Sequence, residues 1–247
     1  MGRFFKISLA IFLAVSFLLG LVLLTLPASV AYKIGSDRLP AGVQFKGIEG
    51  SIWSGRAAQL EIKGVSLGQL SWQIDKTSPL VAQVALEGPE VRATGSIALR
   101  ERGIYEARNL VVDAPARLLE KALGLPGFEF TGALSGNLKN AVITPTYLSA
   151  GGEIIWTDAG LTLPFGVRLG TYVLALEPTP DGARGTISDR GGDLAVAGTV
   201  EWTGFRYRAS VRLQARSGPP ELARALSYIG VANADGSRQL QIDGDLL

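Results

Sequence analysis

The twelve residues FRYRASVRLQAR, Phe205 to Arg216, decide the fold class. Phe205, Tyr207, Ala209, Val211, Leu213 and Ala215 fall on one side of an extended chain, and Arg206, Arg208, Ser210, Arg212, Gln214 and Arg216 on the other. That two-residue period is the pattern of a half-buried antiparallel strand, and a helix would scatter both sets around its axis. Just upstream Val196, Gly198, Val200 and Trp202 alternate in the same sense, so Thr203-Gly204 reads as the turn of a hairpin. Leu70, Trp72 and Ile74, and again Tyr172, Leu174 and Leu176, repeat the alternation. The expectation is a mainly β protein, an elongated curved antiparallel sheet with one apolar face.

Working outward, the strand is followed by Pro219-Pro220, a stripe of Leu222, Ala225, Leu226 and Ile229, and then Gly230. Proline at a helix start, one apolar stripe and a terminal glycine predict a short helix. An earlier segment follows the same recipe: Asp113, Pro115, the stripe Leu118, Leu119, Ala122 and Leu123, and Gly124. Helices of two or three turns are marginal alone, so each stripe is expected to pack on the sheet.

The part of the chain from residue 33 on also pairs with itself in order. Phe45-Lys46-Gly47 is echoed by Phe130-Thr131-Gly132, Leu70 to Ile74 by Ile154 to Thr157, and Val84 to Glu87 by Leu174 to Glu177. Further on, Thr94 to Ile97 matches Ala197 to Val200, Pro115 to Leu119 matches Pro220 to Arg224, and Phe130 to Leu134 matches Ile242 to Leu246. This order suggests two repeats, about 43–124 and about 128–230, each closed by one short helix, with a final strand about 238–247. Stacked repeats bury one continuous core.

At the other end, Ile7 to Tyr32 carries no charged side chain. At 1.5 Å per residue the part from Ile7 to Leu26 covers the roughly 30 Å hydrocarbon core of a bilayer, so it reads as a transmembrane helix. Arg3 and Lys6 precede it without an acid, which keeps residues 1–6 cytoplasmic and sends 33–247 across the membrane. A cleaved signal peptide is the competing reading, with Ser29-Val30-Ala31 as the small residues at the cut, but the apolar run exceeds the usual h-region. Gly20 alone is poor evidence for helix dimerisation.

Composition removes many chemistries. The chain has no Cys and no His, so disulfides, thiolate catalysis, the commonest general base and the commonest zinc ligand are all missing. With Arg3 and Lys6 set aside, the remaining bases of the 24 Lys and Arg equal the 22 Asp and Glu, a balance that argues against nucleic acid. The 31 Gly exceed ordinary usage and point to turns, while 47% hydrophobic content excludes disorder. No G-x-S-x-G motif is present, the carboxylates are scattered, and Asp189 and Asp193 around Arg190-Gly191-Gly192 read as a turn. A catalytic site, a cofactor and a metal are not expected.

Two groups of residues remain as candidates. In Leu39 to Gly55, LPAGVQFKGIEGSIWSG, spaced glycines surround Trp53. Trp53 would either dock a partner, as Trp does at interface hot spots, or pack as a corner residue between small neighbours. The row Arg206, Arg208, Arg212 and Arg216 would either meet anionic headgroups or an acidic partner, or be a solvated strand face that discourages edge aggregation.

The stretch Leu39 to Gly55 resembles the start of the periplasmic region of type II secretion system protein N: an anchor, Leu-Pro, a Val-aromatic strand and then G-x-x-G-x-x-W-S-G. The resemblance runs more loosely through Leu70-Ser71-Trp72 and Pro79-Leu80 to the glycine-rich end. It implies a non-enzymatic subunit held in the cell inner membrane, with its main domain in the periplasm, contacting other secretion subunits of the inner-membrane platform or periplasm. The positions it marks are Gly47, Gly50, Trp53, Ser54 and Gly55, with no catalytic residue among them. The alternative function is periplasmic lipid or glycolipid binding in an apolar β groove like those of AsmA-type and TamB-type proteins. An open apolar face larger than a few hundred Å² would favour it.

Overall fold

A computed structural model describes residues 25–36, 42–62, 64–75, 81–101, 103–123, 127–163, 166–216 and 220–245. The chain forms two compact units, Met1–Glu87 and Gly88–Leu247. Both are β-rich with antiparallel strand pairing.

Among the described residues of unit 1, helix α1 (Ala28–Gly35) comes first and a meander of β1 (Val43–Gly50), β2 (Ser54–Ile62), β3 (Val65–Ile74) and β4 (Val81–Glu87) follows. β1 pairs with β2, β2 with β3 and β3 with β4. Ala57 and Leu60 of β2, Leu86 of β4 and Ala28 of α1 are each buried.

Unit 2 contains β5 (Arg92–Glu101), β6 (Ile104–Pro115), helix α2 (Leu118–Leu123), β7 (Glu129–Ile143), β8 (Leu148–Leu163), β9 (Val167–Thr179) and β10 (Gly182–Asp189). There follow β11 (Leu194–Thr203), β12 (Arg206–Ala215), helix α3 (Pro220–Ser227), β13 (Val231–Ala232) and β14 (Arg238–Asp245). Neighbours in sequence are neighbours in space from β5 to β12; then β14 pairs with β12, and β13 lies outside it.

β12 alternates as expected, with Ala209, Val211 and Leu213 buried and Arg206, Arg208 and Arg212 exposed. Thr203 pairs with Arg206, so the loop is Gly204-Phe205, one residue later than the sequence suggests; Gly204 takes φ +64°, which glycine adopts without a Cβ penalty. α3 begins at Pro220 and lays Leu222 and Leu226 in one cluster with Leu194, Val196, Val211 and Leu213, the main core of the unit, and Ala225 is buried as well. The helix is too short to stand alone, and this burial holds it. Its end is closed by the Arg238 guanidinium, which donates to the Ile229 and Gly230 carbonyls.

Three expectations need adjustment. Pro115 does not open a helix: it ends β6, paired with Ala133, and α2 starts only at Leu118. A strand end tolerates the missing N–H as well as a first helical turn does. The apolar run does not continue as one helix to Tyr32: Pro27 is extended, with φ −63° and ψ 135°, and α1 starts after it. Among the described residues no helix is long and apolar enough to cross a membrane, and of the expected span from Ile7 to Leu26 only Thr25 and Leu26 lie within them. Finally, among the described residues six strands and a short helix follow one another twice, but the sequence pairs do not all keep that step, so the two repeats are not confirmed. Leu70–Ile74 on β3 is matched with β8, and Val84–Glu87 on β4 with β9, each one strand early.

Candidate functional site

The motif glycines surround a corner between β1 and β2. Gly50 has φ +85°, and a Cβ there would stand 2.6 Å from the Ser54 carbonyl oxygen, so the turn requires glycine. Gly55 is needed for a different reason: its Cβ would lie 2.4 Å from Cζ2 of Trp72, whose ring covers it. Gly47 sits further back on β1. The polar work of the turn falls to Ser51, one of the residues that the sequence reading passed over. Its hydroxyl oxygen accepts the N–H groups of Trp53 and Ser54 at 3.3 and 3.2 Å, and the Ser51 N–H donates to the Ser54 carbonyl at 2.9 Å.

This corner holds the start of the described chain. The Ile52 N–H donates to the Leu26 carbonyl at 3.1 Å, and Pro27 forms a β-bridge with Ser51. The Ile52 carbonyl accepts the Trp72 indole N–H at 3.2 Å, so both backbone groups of Ile52 are satisfied, one by the N-terminal segment and one by β3. Trp53 accepts the Ile74 N–H at its carbonyl at 2.6 Å and is itself half-buried. Trp53 and Ser54 thus lie within a backbone junction of three segments. α1 completes it. The Tyr32 ring meets Phe45 edge-on with centroids 5.7 Å apart, and its hydroxyl oxygen accepts the Phe45 N–H at 3.4 Å, covering part of the free edge of β1. Between α1 and the sheet runs an apolar groove of about 350 Å³ lined by Ala28, Ala31, Tyr32, Ile48, Leu70 and Trp72 among others.

The arginine row lies in unit 2 and is met by acids from other strands and from the loop before β14. Arg206 faces Asp245 at 4.0 Å, Arg212 pairs with Asp235, and Arg216 reaches Asp189 at 2.7 Å. Arg208 stands in register with Glu201 on β11 and Asp243 on β14. Glu201 in turn bonds Arg184 at 2.7 Å, and Arg184 is in register with Glu177. Charge therefore alternates across five strands, as in Glu177, Arg184, Glu201, Arg208 and Asp243. An exposed ladder of this kind presents little net field to an anionic surface.

Asp189 ends β10 as a turn residue. Its carboxylate accepts the N–H groups of Gly191 and Val196, and Arg216 holds its pKa below the ordinary carboxylate value, those two backbone bonds adding to the effect and partial burial opposing it. Next to it the Tyr172 hydroxyl donates to the Leu194 carbonyl at 3.1 Å, and burial raises its pKa well above the ordinary phenol value. No cluster of three or more Asp and Glu able to hold a metal occurs among the described residues. In unit 2 the helix α3 covers the apolar sheet face over Val196, Val211 and Leu213, so that face is filled by protein and offers an acyl chain no room there.

A sequence model of the family described as Type II secretion system (T2SS), protein N, matches residues 41–241. The protein of Vibrio cholerae serotype O1 (strain ATCC 39315 / El Tor Inaba N16961) named Type II secretion system protein N is 32% identical over 162 residues. The alignment takes in 62% of this chain and 63% of that relative, so the chain spans less than two thirds of the relative's length. No solved structure matches.

Proposed function

The chain belongs to the type II secretion system protein N family, and from that membership we propose that it is a non-enzymatic subunit of the secretion apparatus. It is held in the inner membrane by Ile7 to Leu26 with residues 1–6 in the cytoplasm, and its β-rich units stand in the periplasm. There it contributes to assembly or stability of the machine that carries folded proteins across the outer membrane. Its partners are other subunits of the inner-membrane platform or the periplasm, not nucleic acid. The supporting observation is that the family match over residues 41–241 takes in the glycine-Trp corner, and that this corner binds the backbone at Leu26 and Pro27, within the uncharged run. A membrane tether raises the effective concentration of the domain near partners at the same surface.

Deleting the gene and following exoproteins between periplasm and medium tests this role, with outer-membrane permeability to a bulky apolar dye measured in parallel. Exoproteins retained in the periplasm behind an intact outer membrane are the expected outcome. Normal secretion with a leaky outer membrane would remove the proposal in favour of lipid handling. Within the site, Trp53→Ala is expected to lower either thermal stability or secretion; a variant normal in both leaves Trp53 without a role.

A further inference from the structure

Helix α1 carries two apolar stripes, and among the described residues only one of them is packed against the sheet. Ala28, Ala31 and Tyr32 turn toward the groove, with Ala28 buried. On another side Val30 is 42% exposed and Ile34 76% exposed, one helical turn apart and therefore adjacent on the surface. Lys33, also exposed, flanks them in the last turn. A short helix packed on a sheet in water normally turns polar residues outward, as α3 does with Arg224 and Ser227. α1 instead turns outward a branched aliphatic pair.

The helix is not loosely attached. The Leu26 carbonyl, the Pro27 bridge and the Tyr32 hydroxyl tie it to the corner and to β1. The outer strip is thus presented in a set orientation by unit 1. What meets it follows from the chain that enters here. Residues 7–24 carry no charged side chain and join the described chain at Thr25, just ahead of α1, and the uncharged run extends into α1 as far as Tyr32.

We propose that the outer face of α1 lies in the interfacial layer of the bilayer that the N-terminal segment enters. Val30 and Ile34 sink roughly 5–10 Å to the boundary of headgroups and acyl chains, and Lys33 extends its ammonium to the phosphates. Unit 1 then stands on the membrane by a helix in the surface plane, and its corner is held at a fixed height instead of swinging on a tether. The inference rests on the anchor reading of Ile7 to Leu26, and its test separates the two.

The full chain is reconstituted into vesicles of phosphatidylethanolamine and phosphatidylglycerol. Since the protein has no Cys, single variants Ile34→Cys, Phe17→Cys and Thr186→Cys each carry one polarity-sensitive fluorophore. Ile34 is so exposed that its label disturbs no packing, and the exposed Thr186 supplies the aqueous reference. The expected result is a blue-shifted Ile34 label, quenched several-fold more than the Thr186 label by nitroxide lipids labelled near the headgroup, and protected from iodide. Iodide quenching of Ile34 equal to that of Thr186 overturns the proposal. So does protection from iodide without lipid quenching, because a protein surface then covers α1. The Phe17 label reads the anchor independently. Quenching of Phe17 by deep nitroxides with an aqueous Ile34 keeps the anchor and removes the α1 contact, whereas a quenched Ile34 with an aqueous Phe17 keeps the contact and removes the anchor.

Discussion

Both units lay a short helix on an apolar sheet face, and the two helices differ in what they hide and what they show. In unit 2, α3 hides large aliphatics, with Leu222 1% exposed and Leu226 8%, and turns Arg224 and Ser227 to water. In unit 1, α1 hides Ala28, Ala31 and a half-buried Tyr32, while Val30 and Ile34 face outward. α3 is held by hydrophobic burial; α1 is held chiefly by backbone bonds at the corner and by one aromatic contact. A helix fixed by directional bonds can be small inside and apolar outside, which is what a helix needs if its orientation matters more than the core it adds.

The strongest way to break this contrast is to truncate each helix's support. Leu222→Ala opens a cavity in the core of unit 2 and is expected to cost about 2–5 kcal/mol, read as a lower denaturation midpoint. Gly55→Val forces a branched side chain into Trp72 and the Glu49 carbonyl and is expected to cost about 1–3 kcal/mol. Hydrogen exchange followed segment by segment locates each loss. Leu222→Ala should loosen the amides of β11 and β12, and Gly55→Val those of β1, β2 and α1. If either variant loosens both sets equally, the units do not behave separately and the contrast fails. Trp72→Phe keeps most of the ring but strips the Ile52 carbonyl of its donor, at about 1–3 kcal/mol if that oxygen stays dry. The same exchange measurement should show the α1 amides affected first.

How much of this can be read from residues alone follows the same division. β12 and α3 are legible because their forces are periodic: apolar residues at spacing two or on one helical stripe announce burial in the sequence itself. α1 is not, since the uncharged run from Ile7 to Tyr32 masks the break at Pro27, although a proline there was the available signal. The bridge of Leu26 and Pro27 to Ser51 and Ile52 has no signature at all, being made of backbone groups brought together from distant positions. The arginine row is visible on β12, but its acids come from β10, β11, β14 and the loop before β14, and only register aligns them. The glycine-Trp motif is legible as a motif, and the reason for Gly55 becomes plain only when Trp72 arrives from another strand.

Acid should act on unit 2 through Asp189. Its pKa is lower in the folded protein than in the unfolded chain, first because of Arg216 and then because of the Gly191 and Val196 amides. A depressed carboxylate adds stability that is complete above its unfolded pKa and is lost as pH falls through the folded value. Asp189→Asn is therefore expected to be less stable than wild type at neutral pH, with the gap closing on acidification below the ordinary carboxylate range. A gap independent of pH would show that the turn geometry, not the charge, is what Asp189 supplies.

The smallest effect belongs to the charged ladder, and it carries the other half of the contrast. Arg208 is exposed between Glu201 and Asp243, and Glu201 keeps Arg184 when Arg208 is gone. Arg208→Ala should change stability by no more than about 0.5 kcal/mol, since exposed ion pairs contribute little. Arg208→Glu sets three acids side by side across β11, β12 and β14 and should cost somewhat more, roughly 0.5–1 kcal/mol, with salt relieving it. If both variants secrete exoproteins normally, the outer face of β12 is a solvated surface whose charges balance one another, and the apolar outer face of α1 remains the side with something to meet. A loss of secretion by Arg208→Ala at unchanged stability would reverse that assignment: the ladder would then be a contact face in its own right, opened by exchange of its internal acids for those of a partner.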